Sequence, residues 1–220
     1  MRLGLTALWH RLEHLGSSSK KTLRAAEQNR PDIALARQQW QSQQPSWPVA
    51  SLVFLDETGL NTKMTRLYGR AGRAERCLCM VPHGHWSTAT FIAALRHDRL
   101  TAPLLLDGPM EGALFLAYVQ KILAPELRRG DLVICDNLSS HKVAGVREAI
   151  ADCGAQLLYL PAYSPDLNPI ELAFAKLKAF LRQRAQRTFA GLRRATAQAL
   201  GSFTAAHCTH FFRHAKYATD

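Results

Sequence analysis

The sequence predicts an α/β domain in which a mixed β-sheet is flanked by helices. Short apolar runs indicate buried strands, because strands covered on both faces are apolar nearly throughout. Segments with apolar residues at helical spacing lie between and after these runs, an alternation typical of a layered α/β domain. The three clearest strand candidates are 51–56, 132–136 and 156–160.

The N-terminal part of the chain is predicted to be helical. Apolar residues at positions 5, 8, 9, 12 and 15 form a helical stripe that ends at Gly16, and a second helix is expected over 31–41. The segment 44–48 contains two prolines and predicts a stiff linker. We therefore expect a helical unit over 1–48, a main domain over 49–205 and a C-terminal tail over 206–220.

The remaining elements of the main domain follow from the same patterns. A hairpin is predicted over 77–82 and 86–95, turning at residues 83–85, and a short strand over 102–106. Helices are predicted over 111–127, 140–153, 169–184 and 188–203. Pro125 is expected to break the end of the first of these helices.

Composition limits the protein classes that the chain can belong to. It has 220 residues, of which 47% are hydrophobic, enough for one large domain with a substantial core. No apolar run approaches the roughly 18–20 residues of a membrane span, and the first residues do not form a secretory signal. Five cysteines without framework spacing favour a reducing compartment. We expect a cytoplasmic protein without membrane contact.

The positive charge is concentrated in the C-terminal part. The net charge is +11, and no acidic residue occurs between Glu171 and Asp220. A solvated helix surface is the ordinary explanation of such a stretch. Charge of one sign forgoes stabilising pairs along a helix, however, which favours a surface that faces phosphates. The sequence therefore predicts nucleic acid as the partner.

Three acidic residues suggest the chemistry. Asp56 and Asp136 each end an apolar strand, and Glu171 lies on the first turn of a helix. Carboxylate oxygens are the ligands that Mg²⁺ prefers, and paired ions catalyse phosphoryl displacement. Each acid also has a structural explanation: a strand end for Asp56, an Asx turn for Asp136, and a capping box with Asn168 as N-cap for Glu171.

Other residues near these acids are secondary candidates. Glu57 follows Asp56 but points to the opposite face of the strand. Asn137 could orient Asp136, and Asp166 is a rival third acid on a proline-bounded loop. The candidates for DNA contacts are His141, Lys142, Lys178, Arg182, Arg70 and Arg73.

Three motifs together resemble the mariner superfamily of transposases. They are Leu-Asp-Glu-Thr at 55–58, Cys-Asp-Asn-Leu-Ser-Ser-His-Lys at 135–142, and Leu-Pro-Ala-Tyr-Ser-Pro-Asp-Leu-Asn-Pro-Ile-Glu at 160–171. The bacterial six-thirty insertion-sequence family is the most similar branch, because 34 residues separate Asp136 from Glu171 as in that family's acidic triad. The resemblance covers roughly residues 51–185. Phe174 stands where many relatives have Trp.

The resemblance carries implications beyond the residues themselves. It implies a ribonuclease-H-like fold, two Mg²⁺ or Mn²⁺ ions, and cut-and-paste transposition with Asp56, Asp136 and Glu171 as catalytic metal ligands. It also implies DNA partners, namely the element ends and the target, a homo-oligomer on DNA and a nucleoid location. Residues 1–25 resemble only the end of a helix-turn-helix domain, so we expect the catalytic half, with the other half encoded separately.

Two further functions remain open at this point. The same acids suit a ribonuclease-H-like nuclease that acts on other nucleic acids. A truncated fragment that binds DNA without catalysis is the third hypothesis. Retention of all three acids favours an intact active site, although a chain without its DNA-reading half could be inactive.

Overall fold

A computed structural model describes His14 and residues 25–72, 75–81 and 83–218, without the side chains of residues 139 and 140. The helix predicted over 5–15 therefore lies outside the described residues, apart from His14. The five strands are β1 Leu52–Asn61, β2 Thr88–Leu95, β3 Leu100–Asp107, β4 Leu132–Cys135 and β5 Gln156–Tyr159. The α-helices of the described part are α1 Pro31–Gln43, α2 Gly112–Tyr118, α3 Val146–Ala151, α4 Ile170–Arg184, α5 Phe189–Leu200 and α6 Ala205–His214.

The strands form one mixed sheet in the order β3-β2-β1-β4-β5. The first three pair antiparallel, and β1, β4 and β5 pair parallel. The central strand β1 is buried on both faces over residues 52–55, as its uninterrupted apolar run predicts. The mixed α/β architecture expected from the sequence is confirmed.

A hydrophobic cluster covers each face of the sheet. On one face, Phe54 packs with helices α4, α5 and α6; on the other, Leu55 packs with α2 and α3. Helix α2 continues as a π-helical turn over Val119–Leu123 and a 3₁₀ turn over Ala124–Glu126, so the helix predicted over 111–127 changes geometry before Pro125. Within the described residues, no helix has both the length and the apolar character needed to cross a membrane.

The hairpin predicted over 77–82 and 86–95 is wrong. Residues 75–81 contain no strand, and Leu78 and Met80 are 89% and 98% exposed. Strand β2 pairs instead with β1, which extends to Asn61 and is followed by a long connection over 62–87. Alternating side chains in the connection imitate a strand locally, but pairing is decided by the apolar faces of β1 and β2.

The helix predicted over 140–153 is also different. A 3₁₀ turn over Ser139–Lys142 comes first, and α3 begins only at Val146. Gly145 separates the two with a φ of 90°, a left-handed conformation that glycine adopts without strain. This break places residues 139–142 beside the end of β4.

Both ends of the described chain pack on the core. The Trp40 ring nitrogen on α1 donates to the Tyr217 hydroxyl over 2.8 Å, and that hydroxyl donates to the Leu167 carbonyl over 2.9 Å. Phe212, in the segment expected to be a tail, is fully buried on α6. These contacts join the connector and the C-terminal segment to the loop that precedes α4.

Candidate active site

Asp56 and Asp136 lie side by side on two neighbouring parallel strands, β1 and β4, with Asp136 just beyond the end of β4. The register pairs Leu55 with Cys135, so each aspartate is the residue that follows this last parallel pair. Asp56 still belongs to β1, whereas β4 ends at Cys135. Because successive strand side chains alternate, Asp56 shares the face of Phe54, which is the face covered by α4.

Glu171 approaches from that covering helix. It lies on the first turn of α4, which packs on the sheet through Ile170, Phe174 and Leu177. Asp56, Asp136 and Glu171 line one cleft of about 520 Å³, together with Glu57 and Asn137. The structure thus brings together three acids that lie up to 115 positions apart in the sequence (171 − 56).

Burial gives the Asp56 carboxylate unusual properties. Its side chain is 7% exposed and accepts a hydrogen bond from the Glu57 amide at 2.7 Å. Burial raises the pKa of Asp56 to about 7; the Glu57 amide opposes this rise, while the charges of Asp136 and Glu171 add to it. A nearby cation would favour the ionised form of this carboxylate.

Asn168 orients Asp56, a role that the sequence analysis missed. Its Nδ2 donates to Asp56 Oδ2 at 2.8 Å, and the side chain is 5% exposed. The capping box predicted with Asn168 as N-cap is wrong, because α4 begins at Ile170 and no side chain caps it. The only sequence signal was the amide side chain before Pro-Ile-Glu, which also fits a cap.

The loop that carries Asn168 is held by side chains of α1 and of the segment just before it. Arg37 donates to the Ser164 hydroxyl at 2.7 Å and forms a two-pronged ion pair with Asp166, at 2.9 and 2.7 Å. Gln28 donates to the Tyr163 carbonyl at 2.6 Å. Asp166, the rival third acid, is thus turned toward Arg37 and does not line the cleft with the three acids.

Glu57 and His141 meet on the other side of β1. The His141 side chain is completely buried and stacks on Phe115, with ring centroids 4.5 Å apart. Its Nε2 lies 3.0 Å from Glu57 Oε2. His141 was expected to contact DNA, but its buried side chain is inaccessible to DNA. The sequence could not show this, because the partner Glu57 lies 84 positions away.

The second ring nitrogen of His141 contacts Asp136. Nδ1 lies 2.6 Å from Asp136 Oδ1, an ion-pair distance, although its direction does not satisfy hydrogen-bond geometry. Burial acts to lower the pKa of His141, but the carboxylates of Asp136 and Glu57 outweigh it and raise the pKa to about 9. His141 is therefore a cation at neutral pH, placed between two carboxylates.

The other predicted DNA contacts lie on separate elements of the fold. Lys142 is exposed, with Nζ 5.6 Å from the centre of the Tyr159 ring. Lys178 and Arg182 follow Glu171 along α4 and are half-buried, and Arg70 is exposed on the connection after β1. Arg73 lies outside the described residues.

The donor set of the cleft suits a hard divalent cation. It offers carboxylate oxygens from the middle of β1, from the residue after β4 and from the first turn of α4, and such oxygens are the ligands that Mg²⁺ and Mn²⁺ prefer. Within residues 25–218 as described, however, no three acidic, histidine or cysteine side chains converge closely enough to hold an ion as they stand. Glu171 is exposed on the first turn of α4, so its side chain has room to move toward the two aspartates.

Comparison with solved structures shows the fold. The chain resembles the Mos1 transposase paired-end complex with the left transposon end at TM-score 0.72 and 16% identity, covering 94% of this chain and 66% of that one. A mariner Mos1 paired-end complex with Mg gives 0.74 and 15%, with the same coverage. The catalytic domain of Mos1 mariner transposase gives 0.61 and 12%, covering 88% and 91%. The fold is therefore the ribonuclease-H-like fold of these catalytic domains.

Comparison of sequences shows the family. The chain spans somewhat less than two thirds of the length of the Mos1 chains in the paired-end complexes, 66% in both of those compared. No curated protein matches it. Residues 51–193, which include all three acids, match the DDE superfamily endonuclease family. This chain belongs to the DDE superfamily of endonucleases.

Proposed function

We propose that this chain is the catalytic domain of a DNA transposase of the mariner superfamily, in the bacterial six-thirty insertion-sequence branch. One observation carries the proposal: Asp56 and Asp136, on adjacent parallel strands, line the same cleft as Glu171. The motifs at 55–58, 135–142 and 160–171 support the branch. We take residues 49–205 as the catalytic unit, with α6 packed on its core.

The three acids would hold divalent cations in this proposal. Mg²⁺ or Mn²⁺ bound there would supply a route for in-line phosphodiester displacement, first by water at the element end and then by the freed 3′-hydroxyl on target DNA. Asn168 keeps the Asp56 carboxylate turned into the cleft. The support from relatives is that mariner Mos1 complexes are solved with Mn and with Mg.

DNA is the proposed partner because of charge. Lys178 and Arg182 extend from Glu171 along α4, on a chain with a net charge of +11. Cations on such a path would bind phosphates without reading base sequence. The proposal extends to a homo-oligomer on paired DNA ends, to a separately encoded helix-turn-helix half that reads them, and to a nucleoid location.

A panel of nucleic acids tests this proposal. The purified chain is incubated with Mg²⁺ and one of three end-labelled substrates: the terminal inverted repeat from its genomic flank, a four-way DNA junction, or an RNA–DNA hybrid of equal length. We expect metal-dependent cleavage at the end of the terminal repeat, which EDTA stops.

Two other outcomes would contradict the proposal. Cleavage of only the junction or the hybrid would indicate a ribonuclease-H-like nuclease of another function. Salt-dependent binding to every duplex without cleavage of any would indicate a DNA-binding fragment without catalysis.

A further inference from the structure

His141 is the most completely enclosed ionisable side chain near the cleft. It is 0% exposed, stacked on Phe115, and lies on the 3₁₀ turn that follows β4. The Tyr159 hydroxyl donates to the His141 carbonyl at 3.0 Å, which fixes the backbone of this turn from β5. Buried polar atoms need partners, and both ring nitrogens of this enclosed imidazole face a carboxylate, Glu57 at 3.0 Å and Asp136 at 2.6 Å.

The two contacts of His141 reach the two strands that carry Asp56 and Asp136. Nε2 faces Glu57, which lies on the face of β1 opposite Asp56 and borders the cleft from there. Nδ1 faces Asp136 beyond the end of β4. The imidazole therefore bridges the two strands that carry the acid pair, from the side opposite α4.

Asp136 needs such support because the sheet does not provide it. The last pair of the ladder is Leu55 with Cys135, so backbone pairing stops one residue before the carboxylate. Its described contacts are the Leu138 amide at 3.2 Å and His141 Nδ1 at 2.6 Å, and both use Oδ1. This arrangement holds the carboxylate by one oxygen and leaves Oδ2 for a ligand in the cleft.

We propose that His141 is a positioning residue, which holds the Asp136 carboxylate through Nδ1 and is itself anchored to β1 by Glu57 through Nε2. The inference rests on the proposed role of Asp136 as a metal ligand. It gives Glu57 a function as an anchor and removes it from the candidates for direct catalysis. Partners behind a ligand of this kind fix its orientation and strengthen metal binding.

Two substitutions test the contacts of His141 Nδ1 and Nε2 separately. In His141→Asn, the amide reaches about as far as Nδ1, so the contact with Asp136 is kept and that with Glu57 is lost. In His141→Gln, the amide reaches about as far as Nε2, so the contact with Glu57 is kept and that with Asp136 is lost. Tyr118→Phe is the matched control, because it removes a buried hydrogen bond to the Ala102 carbonyl in the same cluster without touching the acids.

Mn²⁺ affinity, measured by calorimetric titration of the purified chain, is the first readout. His141→Gln should weaken Mn²⁺ binding by about 10–100-fold, the range typical of lost partners behind a metal ligand. His141→Asn should weaken it clearly less, and Tyr118→Phe should leave it unchanged at a similar loss of stability. Equal losses in both His141 variants, or wild-type affinity in His141→Gln, would overturn the proposal.

A second set of measurements keeps the test decisive. If both His141 variants fail to fold, Tyr159→Phe releases the turn that carries His141, and wild-type Mn²⁺ affinity in that variant would overturn the proposal. If the wild-type protein binds Mn²⁺ but does not cut DNA, only the proposed function is contradicted. The Mn²⁺ affinities of the two His141 variants can still be compared in that case. Wild-type protein that binds no Mn²⁺ would overturn both.

Discussion

Asp136→Asn should abolish Mg²⁺-dependent DNA cleavage while the protein stays folded. The substitution keeps the size of the side chain and removes the charge that a divalent ion requires, at the end of β4 beside Asp56. The Leu138 amide can still donate to the remaining carbonyl oxygen, as it does to Asp136 Oδ1. End-labelled terminal-repeat DNA assayed with excess enzyme measures the cleavage, and circular dichroism measures the folding.

Asp152→Asn is the control for this experiment. Asp152 is an exposed aspartate at the end of α3, so the control makes the same change of charge away from the cleft. Cleavage by Asp152→Asn should equal that of the wild type. Cleavage retained by Asp136→Asn would rule out the assignment of Asp136.

Asp131→Ala should lower the free energy of unfolding more than any other substitution proposed for this protein. Asp131 forms a two-pronged ion pair with Arg96, at 3.2 Å for one of its contacts, and both side chains are less than 5% exposed. Asp131 also accepts from the Arg128 amide at 2.7 Å, one residue before β4 begins. Removing one partner leaves the other charge buried, which typically costs about 3–5 kcal/mol.

Urea unfolding measures this loss, with Asp32→Ala as the control. The Asp32 side chain is 64% exposed in its pair with Arg30, so its removal should leave the free energy of unfolding unchanged within error. A loss in Asp131→Ala no larger than that of the control would show that the Arg96 pair does not stabilise the start of β4. Retained folding with reduced cleavage in Asp131→Ala would further link this end of β4 to the placement of Asp136.

The sequence predicts best what depends on local burial. The runs over 132–136 and 156–160 coincide with β4 and β5 to within one residue, and the run over 51–56 covers the first half of β1, because strands inside a covered sheet are apolar in any topology. The same runs place Asp136 correctly at the end of β4, whereas the expected strand end at Asp56 is wrong, because β1 continues to Asn61 through its pairing with β2. The proximity of the two aspartates required the parallel register of β1 and β4, which no local pattern specifies.

The sequence predicts least where a partner is distant. His141 reads as a surface residue at the start of a helix, but Glu57 and Phe115 enclose it. The sequence around Asn168 indicates a helix cap, but the Asn168 side chain donates instead to Asp56, which lies 112 positions earlier. Residues 77–82 have the pattern of one strand of a hairpin, because no local pattern shows that β2 pairs with β1 instead.

These misses share a physical cause. A polar side chain can be satisfied by neighbours along the chain or by groups brought close by folding, and the sequence shows only the first kind. The residues that orient Asp56 and Asp136 belong to the second kind. The acids could therefore be identified from their motifs, whereas the residues that hold them required the fold.

We propose above that Asp56, Asp136 and Glu171 form one site for divalent cations. Anomalous X-ray diffraction from crystals of the protein soaked in Mn²⁺ tests it most directly, because Mn²⁺ prefers the same oxygen ligands as Mg²⁺ and its position is observed without assumptions. We expect an anomalous peak in the cleft, within about 2.5 Å of carboxylate oxygens from both Asp56 and Asp136, with Glu171 turned toward it. A Mn²⁺-saturated crystal without a peak between the two aspartates would contradict the account.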